Sequence, residues 1–237
     1  MDLSSMKKDE GSPEFPYETL CAKAVDELTG CPEIDVSVAE FGKISTPLDD
    51  AERVFRNMAR RRGLPLNSEI REKFFRFNDI EVYWSSSESG SNLVGELYLT
   101  HLYRSVIEKR MNVIWEGKDD WERELYSELR IFDDTPRSGS GRLAALRAAP
   151  GTADPEIWFF DIRDEPLEMD LNYPAYLDTL LITKGTIGWQ YLFCDVGYGH
   201  PGFTPIVDGL KEMVEVFPRL FPEYNYSDLQ ARLRERM

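Results

Sequence analysis

Apolar positions along this chain switch repeatedly between helical and strand spacing. Over residues 17–28, Leu20, Ala24, Val25 and Leu28 form a helical stripe, and Thr29-Gly30-Cys31-Pro32 stops it. Ile34-Asp35-Val36-Ser37-Val38 alternates, as a half-buried strand does. Pro47-Leu48-Asp49-Asp50 opens a second helix with Asp49 or Asp50 as its N-cap. Val54, Phe55 and Met58 make its apolar face, and Arg53, Arg56, Arg60, Arg61 and Arg62 make its wet face. Gly63 is its natural stop. Asn67 or Ser68 caps a further helix, with Glu69 and Glu72 in the first turns, where the helix dipole favours them. Ile70, Phe74 and Phe77 share its core-facing side. After an Asn78-Asp79 turn, Ile80-Glu81-Val82-Tyr83-Trp84 and residues 93–99 read as two strands, an antiparallel hairpin around a polar loop.

Residues 105–130 read as charged helix, with Trp115, Trp121, Leu125 and Leu129 as core candidates. Residues 135–141 are rich in Pro, Ser and Gly, a turn or loop. Leu143-Ala144-Ala145-Leu146 is too short and small to classify. Ile157-Trp158-Phe159-Phe160-Asp161-Ile162 is strongly β-prone. Tyr173, Tyr176, Leu177, Leu180 and Leu181 lie at helical spacing, and residues 189–193 fit strand or helix equally. Leu210, Val214, Phe217, Leu220 and Phe221 predict a short helix interrupted at Pro218, followed by a terminal helix over 228–237. Strands flanked by helices without regular βα alternation indicate an α+β fold, with a mixed, mostly antiparallel sheet packed against helices. Residues 1–15 read as a disordered lead. Residues 16–237 read as a single domain with an N-terminal helical extension.

Charge narrows the function classes. The net charge of −15 argues against nucleic acid as a direct partner, because phosphate binding needs Lys and Arg to release counterions. It argues equally against an anionic membrane surface, and it favours basic protein partners at long range. Cys21, Cys31 and Cys194 are odd in number and scattered, which suits buried free thiols in a reducing cytoplasm better than a disulfide framework. The N-terminus lacks the apolar core of a secretory signal, and no apolar run is long enough to predict a membrane span.

Candidate chemistry is sparse. His101 sits near a strand end, a structural or surface position. His200 lies in Gly197-Tyr198-Gly199-His200-Pro201-Gly202, whose glycines read as a flexible loop, since no Lys follows and a Pro interrupts. No metal-ligand spacing, GxSxG or cofactor motif is evident, so neither cofactor nor metal is expected. The adjacent acids Asp133-Asp134 and Asp164-Glu165 could serve as an acid/base pair, but neighbours on a strand point to opposite faces. The acidic stretch over 154–178 says more: eight carboxylates against one arginine, Arg163, interleaved with aromatics. Asp161, Asp164, Glu165, Glu168 and Asp170 are the candidate partner-binding residues, with Trp158 and Tyr173 as aromatic anchors. The alternative is a plain solvated edge with its aromatics turned inward.

Residues 48–77 resemble the start of the SUKH superfamily (Smi/Knr-related). The likeness rests on Asp50-Ala51-Glu52, Gly63-Leu64-Pro65, the aromatics at Phe74 to Phe77, and Asn78-Asp79 in place of an Asn-Gly turn. The later β-prone run, the helix from Tyr173 and the closing helix around 210–221 follow the family's order, so the resemblance extends over residues 45–222. It implies a SUKH-like binding module without catalytic residues, an immunity protein neutralising a cognate toxin such as a nuclease. The alternatives are a hydrolase using a carboxylate pair or His200, and a regulatory scaffold of the same fold.

Overall fold

The computed structural model describes residues 15–44, 48–108, 117–161, 166–198 and 203–237. The fold is α+β, with two antiparallel sheets. The first joins β1 (Ile34–Phe41), β2 (Asp79–Ser86) and β3 (Val94–Thr100) in the order β1-β2-β3. The second joins β4 (Leu129–Asp134), β5 (Leu143–Arg147), β6 (Ile157–Phe160) and β7 (Leu167–Glu168) in chain order.

The helices follow the local signals closely at their ends. α1 (Pro16–Thr29) buries Tyr17, Cys21, Ala24, Val25 and Leu28. Leu20, expected in that stripe, is 45% exposed, because the buried face is rotated toward Tyr17 and Cys21. Of the expected lead, Phe15 is placed, its ring 5.6 Å from that of Phe74; residues 1–14 lie outside the described residues. α2 (Ala51–Arg62) is capped by Asp50, whose side chain accepts from Arg53 N at 3.0 Å, and it ends at Gly63, which has φ +67°. Only a residue that tolerates the left-handed region closes a helix this way. α3 (Ser68–Glu72) takes Asn67 as its cap. It stops before Phe74 and Phe77, which are buried from an irregular segment. Their spacing correctly marked burial but not helix.

The largest difference from expectation lies between residues 105 and 130. The described part holds a π-helical turn (Arg104–Glu108) and α4 (Asp120–Glu128), and Leu129 already belongs to β4, opposite Arg147 of β5. Leu125 and Leu129 are four apart, so the residue that completes a helical stripe also begins a strand. Both join Ile131, Ala145, Trp158 and Phe160 in a small core on one face of the second sheet. Trp121 sits at the rim of that core, 53% exposed, its ring 6.0 Å from Trp158; Trp115 lies outside the described residues. Residues 143–147, left unclassified by sequence, form β5 because both neighbouring strands are available to pair with them. Residues 189–193 form a 3₁₀ turn after α5 (Tyr173–Thr183).

α6 (Thr204–Leu220) runs through Pro218 instead of breaking there. A proline leaves the carbonyl four residues earlier without its helical donor. That carbonyl, Val214 O, instead accepts from Gln230 Nε2 of α7 (Ser227–Arg236) at 3.1 Å. The last helix therefore repairs the ladder of its neighbour.

The main core runs from Tyr17 of α1 to Leu233 of α7 and includes both sheets. At its centre Trp84 of β2 is fully buried and faces Gly95, its register partner on β3. Its indole donates to Lys184 O at 2.7 Å. A Cβ at Gly95 would come within 2.2 Å of the Trp84 indole, far closer than van der Waals contact. Gly95→Ala is therefore expected to lower stability by about 1–3 kcal/mol through overpacking, read as a lower urea midpoint with unchanged slope. A midpoint equal to wild type would show that the indole has room to shift.

Candidate binding surfaces and buried polar groups

The acidic stretch over 154–178 does not fold into one face. Asp161 is 2% exposed. Its carboxylate accepts from Arg142 Nε at 2.9 Å and from the Tyr191 hydroxyl at 2.6 Å. This corrects its assignment to an exposed partner surface: the strand that carries it, β6, is buried along its whole length, so the residue that follows is drawn inside with its counterion. Asp164 and Glu165 lie outside the described residues. Glu168 is exposed on the short edge strand β7. Asp170 is exposed and lies 3.2 Å from Arg232 of α7. Asp178 is paired with Lys73 at 2.5 Å, and Glu156 lies 3.4 Å from Arg147. Trp158 and Tyr173, the expected anchors, are buried at 6% and 2% exposure. The aromatics point inward, and the carboxylates spread over several sides of the molecule.

A second acidic ridge is assembled by the tertiary structure. On α6, Asp208, Glu212 and Glu215 follow a four-three spacing and share the outer side with the cations Lys211 and Arg219. Glu212 accepts from Ser91 Oγ at 2.5 Å and Asn92 N at 3.0 Å, which docks the β2–β3 loop, with exposed Glu88, against the helix. Glu33, before β1, reaches Arg219 of α6 at 3.0 Å. The signal was present in sequence as an amphipathic period over 206–217. Glu88 of the loop and Glu33 of the segment before β1 join it only through folding.

The buried titratable groups are built into packing. His101 is 2% exposed and stands edge-on to Phe74 and Phe75 at 5.1 and 5.0 Å. Its Nδ1 accepts from Tyr103 N at 3.0 Å, so the neutral ring carries its proton on Nε2. Burial, helped by the Arg104 charge and opposed by a backbone hydrogen bond at Phe75, pushes its pKa down to about 3. Asp133, after a bulge in β4, accepts from Tyr98 N at 3.2 Å and from the Tyr176 hydroxyl at 2.6 Å. Gln190 Nε2 in turn donates to that hydroxyl at 3.3 Å. The carboxylate thus bridges β3 of the first sheet to β4 of the second. Burial raises its pKa to about 7, and the tyrosine hydrogen bond holds it from going higher. Asp134 turns away and accepts from Thr135 N at 2.7 Å, so the two neighbours do not converge on a common point. His200 lies outside the described residues. Cys21 and Cys194 are buried and Cys31 half-buried, all as free thiols, and burial pushes the first two up to about 12.

Among the described residues no group of His, Cys, Asp and Glu is placed to hold a metal ion, and no helix is long and apolar enough to cross a membrane. No protein-family model, curated protein or solved structure matches the chain.

Proposed function

We propose that this chain is a non-catalytic binding protein of the SUKH kind, an immunity protein that neutralises a basic toxin in the cytoplasm. The observation that carries the reading is the charge distribution: net −15, with the carboxylates of α6, the β2–β3 loop and the segment before β1 gathered on one ridge. A nuclease must be basic to hold its phosphodiester substrate. An acidic inhibitor meets such a cleft with long-range attraction, associates fast, and covers the residues that bind the substrate. Glu168, exposed at the far sheet edge, adds to the same field. The enclosed, neutral His101 and the bridging Asp133 favour binding over catalysis, since both are spent on holding the fold.

The test is capture on the immobilised chain from its native host, elution by a salt gradient, and assay of the eluted partner for toxicity with and without the chain. A basic partner whose toxicity the chain suppresses is expected. Asp208→Lys combined with Glu215→Lys should slow its association about tenfold at low ionic strength, with a melting temperature close to wild type. An acidic partner, or an association rate indifferent to salt and to both reversals, would remove this reading.

A further inference from the structure

Backbone N–H and C=O groups along a sheet edge need partners as much as those inside it. Two open sheets have four edges, and three of them are closed here. The outer side of β3 meets the turn after α5: Glu96 N donates to Gly185 O and Ile187 N to Val94 O, both at 2.9 Å. β4 lies against β3, where Asp133 takes Tyr98 N. The edge of β7 is continued by Met169, which bridges Cys194, and by Asp170 N, which donates to Phe193 O at 2.8 Å. β1 is the exception. It is 8 residues long, pairs with β2 on one side, and has no strand on the other among the described residues.

The ladder fixes which groups of β1 point outward. Ser87 N donates to Glu33 O at 2.9 Å and Gly42 N to Asp79 O at 2.8 Å, so by alternation Asp35, Val38 and Glu40 turn their backbones to β2 and Val36, Ala39 and Phe41 turn theirs out. The side chains sort the same way. Val36, Ala39 and Phe41 are half-buried against the main core, the Phe41 ring 4.9 Å from that of Phe77. Ile44, just past the strand, is 44% exposed. Asp35 and Glu40 are exposed on the other face. Arg137, which feels the charge of Glu40, pairs with Glu81, the residue opposite Glu40 on β2. The one basic residue of 34–44, Lys43, lies beyond the strand's end. A bulge at Ser37 and the two acids protect the strand from indiscriminate pairing. The acids also set the sign of what can pair. A second copy docked antiparallel, with Val36 opposite Ala39, would place each Asp35 against the Glu40 of the other copy, like charges directly opposite.

We infer that the free edge of β1 accepts an extended segment of a protein partner as a further strand, with apolar residues beside Val36, Ala39 and Phe41 and Lys or Arg beside Asp35 and Glu40. Main-chain hydrogen bonds hold such a segment, and its alternate side chains select it. Asp35 and Glu40 fall at the non-hydrogen-bonded positions of the new pair, where facing side chains come closest. Glu33 of the acidic ridge stands directly before β1, so strand and ridge present one sign of charge. That the segment belongs to a toxin rests on the reading above; the open edge and its preference for basic residues do not.

Fluorescence anisotropy at low salt tests this with a labelled peptide of alternating Val and Lys, as long as β1. Three control peptides isolate the terms: the same residues in two blocks, an alternating Val and Glu peptide, and the first peptide N-methylated at every valine, which keeps the charge and removes the donors. The Val-Lys peptide should bind, and each control should bind at least about tenfold more weakly. Ala39→Pro removes one outward donor without touching the bonds to β2, and Asp35→Lys combined with Glu40→Lys reverses the local charge; each should weaken binding about tenfold. If Ala39→Pro fails to fold, the N-methylated peptide and the charge reversal still decide. No binding of the Val-Lys peptide, or equal binding of its N-methylated form, would overturn strand addition and leave the acidic ridge standing. Equal binding of the Val-Glu peptide would overturn the choice of a basic segment. A salt-gradient capture that yields no basic partner removes the toxin reading and leaves the peptide result intact.

Discussion

Replacing Lys184 with methionine is expected to lower stability by about 3–5 kcal/mol, the cost of leaving one member of a buried ion pair without the other. Lys184 follows α5 and is 1% exposed. Its Nζ contacts the Glu27 carboxylate of α1 and lies 3.3 Å from the Tyr224 hydroxyl. The ammonium also sits over the Tyr224 and Phe221 rings, 4.4 and 5.0 Å from their centroids. Its backbone has φ +53°, a conformation that side chains rarely adopt. The side-chain pairing and the Trp84 hydrogen bond to Lys184 O hold it there. Burial lowers the Lys184 pKa against the pull of Glu27. Burial raises that of Glu27, but the Lys184 and Tyr224 hydrogen bonds outweigh it and leave the carboxyl below its ordinary value, so the pair is charged at neutral pH. Methionine keeps the length and apolar stem but leaves Glu27 with only the half-exposed Lys23, 3.4 Å away, and the Tyr224 hydroxyl at 2.8 Å. The double variant Lys184→Met with Glu27→Gln should recover part of the loss, because no charge then remains unpaired. Strict additivity of the two single losses in urea denaturation would refute the coupling.

The second expected result concerns pH. Asp133 has a folded pKa of about 7 against an ordinary value of 3.8, so the native state holds a proton that the unfolded chain has released. Its contribution is fully present below pH about 4 and is lost as pH rises toward 7. At 1.36 kcal/mol per unit, that is about 4 kcal/mol. His101 has the opposite sign. Its folded pKa of about 3 lies below 6.5, so its contribution is present above pH 6.5 and is lost as pH falls toward 3. Between pH about 4 and 6.5 the two slopes oppose each other, and wild type should be nearly flat with respect to this pair. Asp133→Asn keeps an oxygen for Tyr98 N and removes the titration. Relative to wild type, the variant should gain about 4 kcal/mol between pH 4 and 8, and its own stability should climb with pH as the His101 slope is uncovered. A difference curve that stays level across this range would show that Asp133 titrates as an exposed acid.

The local grammar of the chain was legible wherever a signal is short-range. Asp50, Asn67 and Gly63 end their helices as their chemistry requires, and residues 80–84 and 93–99 form the expected hairpin. Errors arose where one residue satisfies two periods, as Leu129 does, or where a distant group cancels a local penalty, as Gln230 does for Pro218. The candidate site was read less well. Acids that are neighbours in sequence predict a common surface, yet Asp161 turns inward to Arg142 and Tyr191 while Asp178 turns to Lys73. The acidic ridge joins segments far apart in the chain, and no window of sequence contains it.

The sequence by itself determined the α+β class, most helix ends, the first hairpin, the charge and the absence of recognisable catalytic motifs, because caps, turns and side-chain periods act over a few residues. The tertiary structure alone decided which carboxylates remain exposed and how Asp133 and Lys184 became buried. Those outcomes depend on which counterion or hydrogen-bond partner reaches each group when the two sheets and α1, α5, α6 and α7 close on one core. Burial without a partner costs more than any local preference can recover.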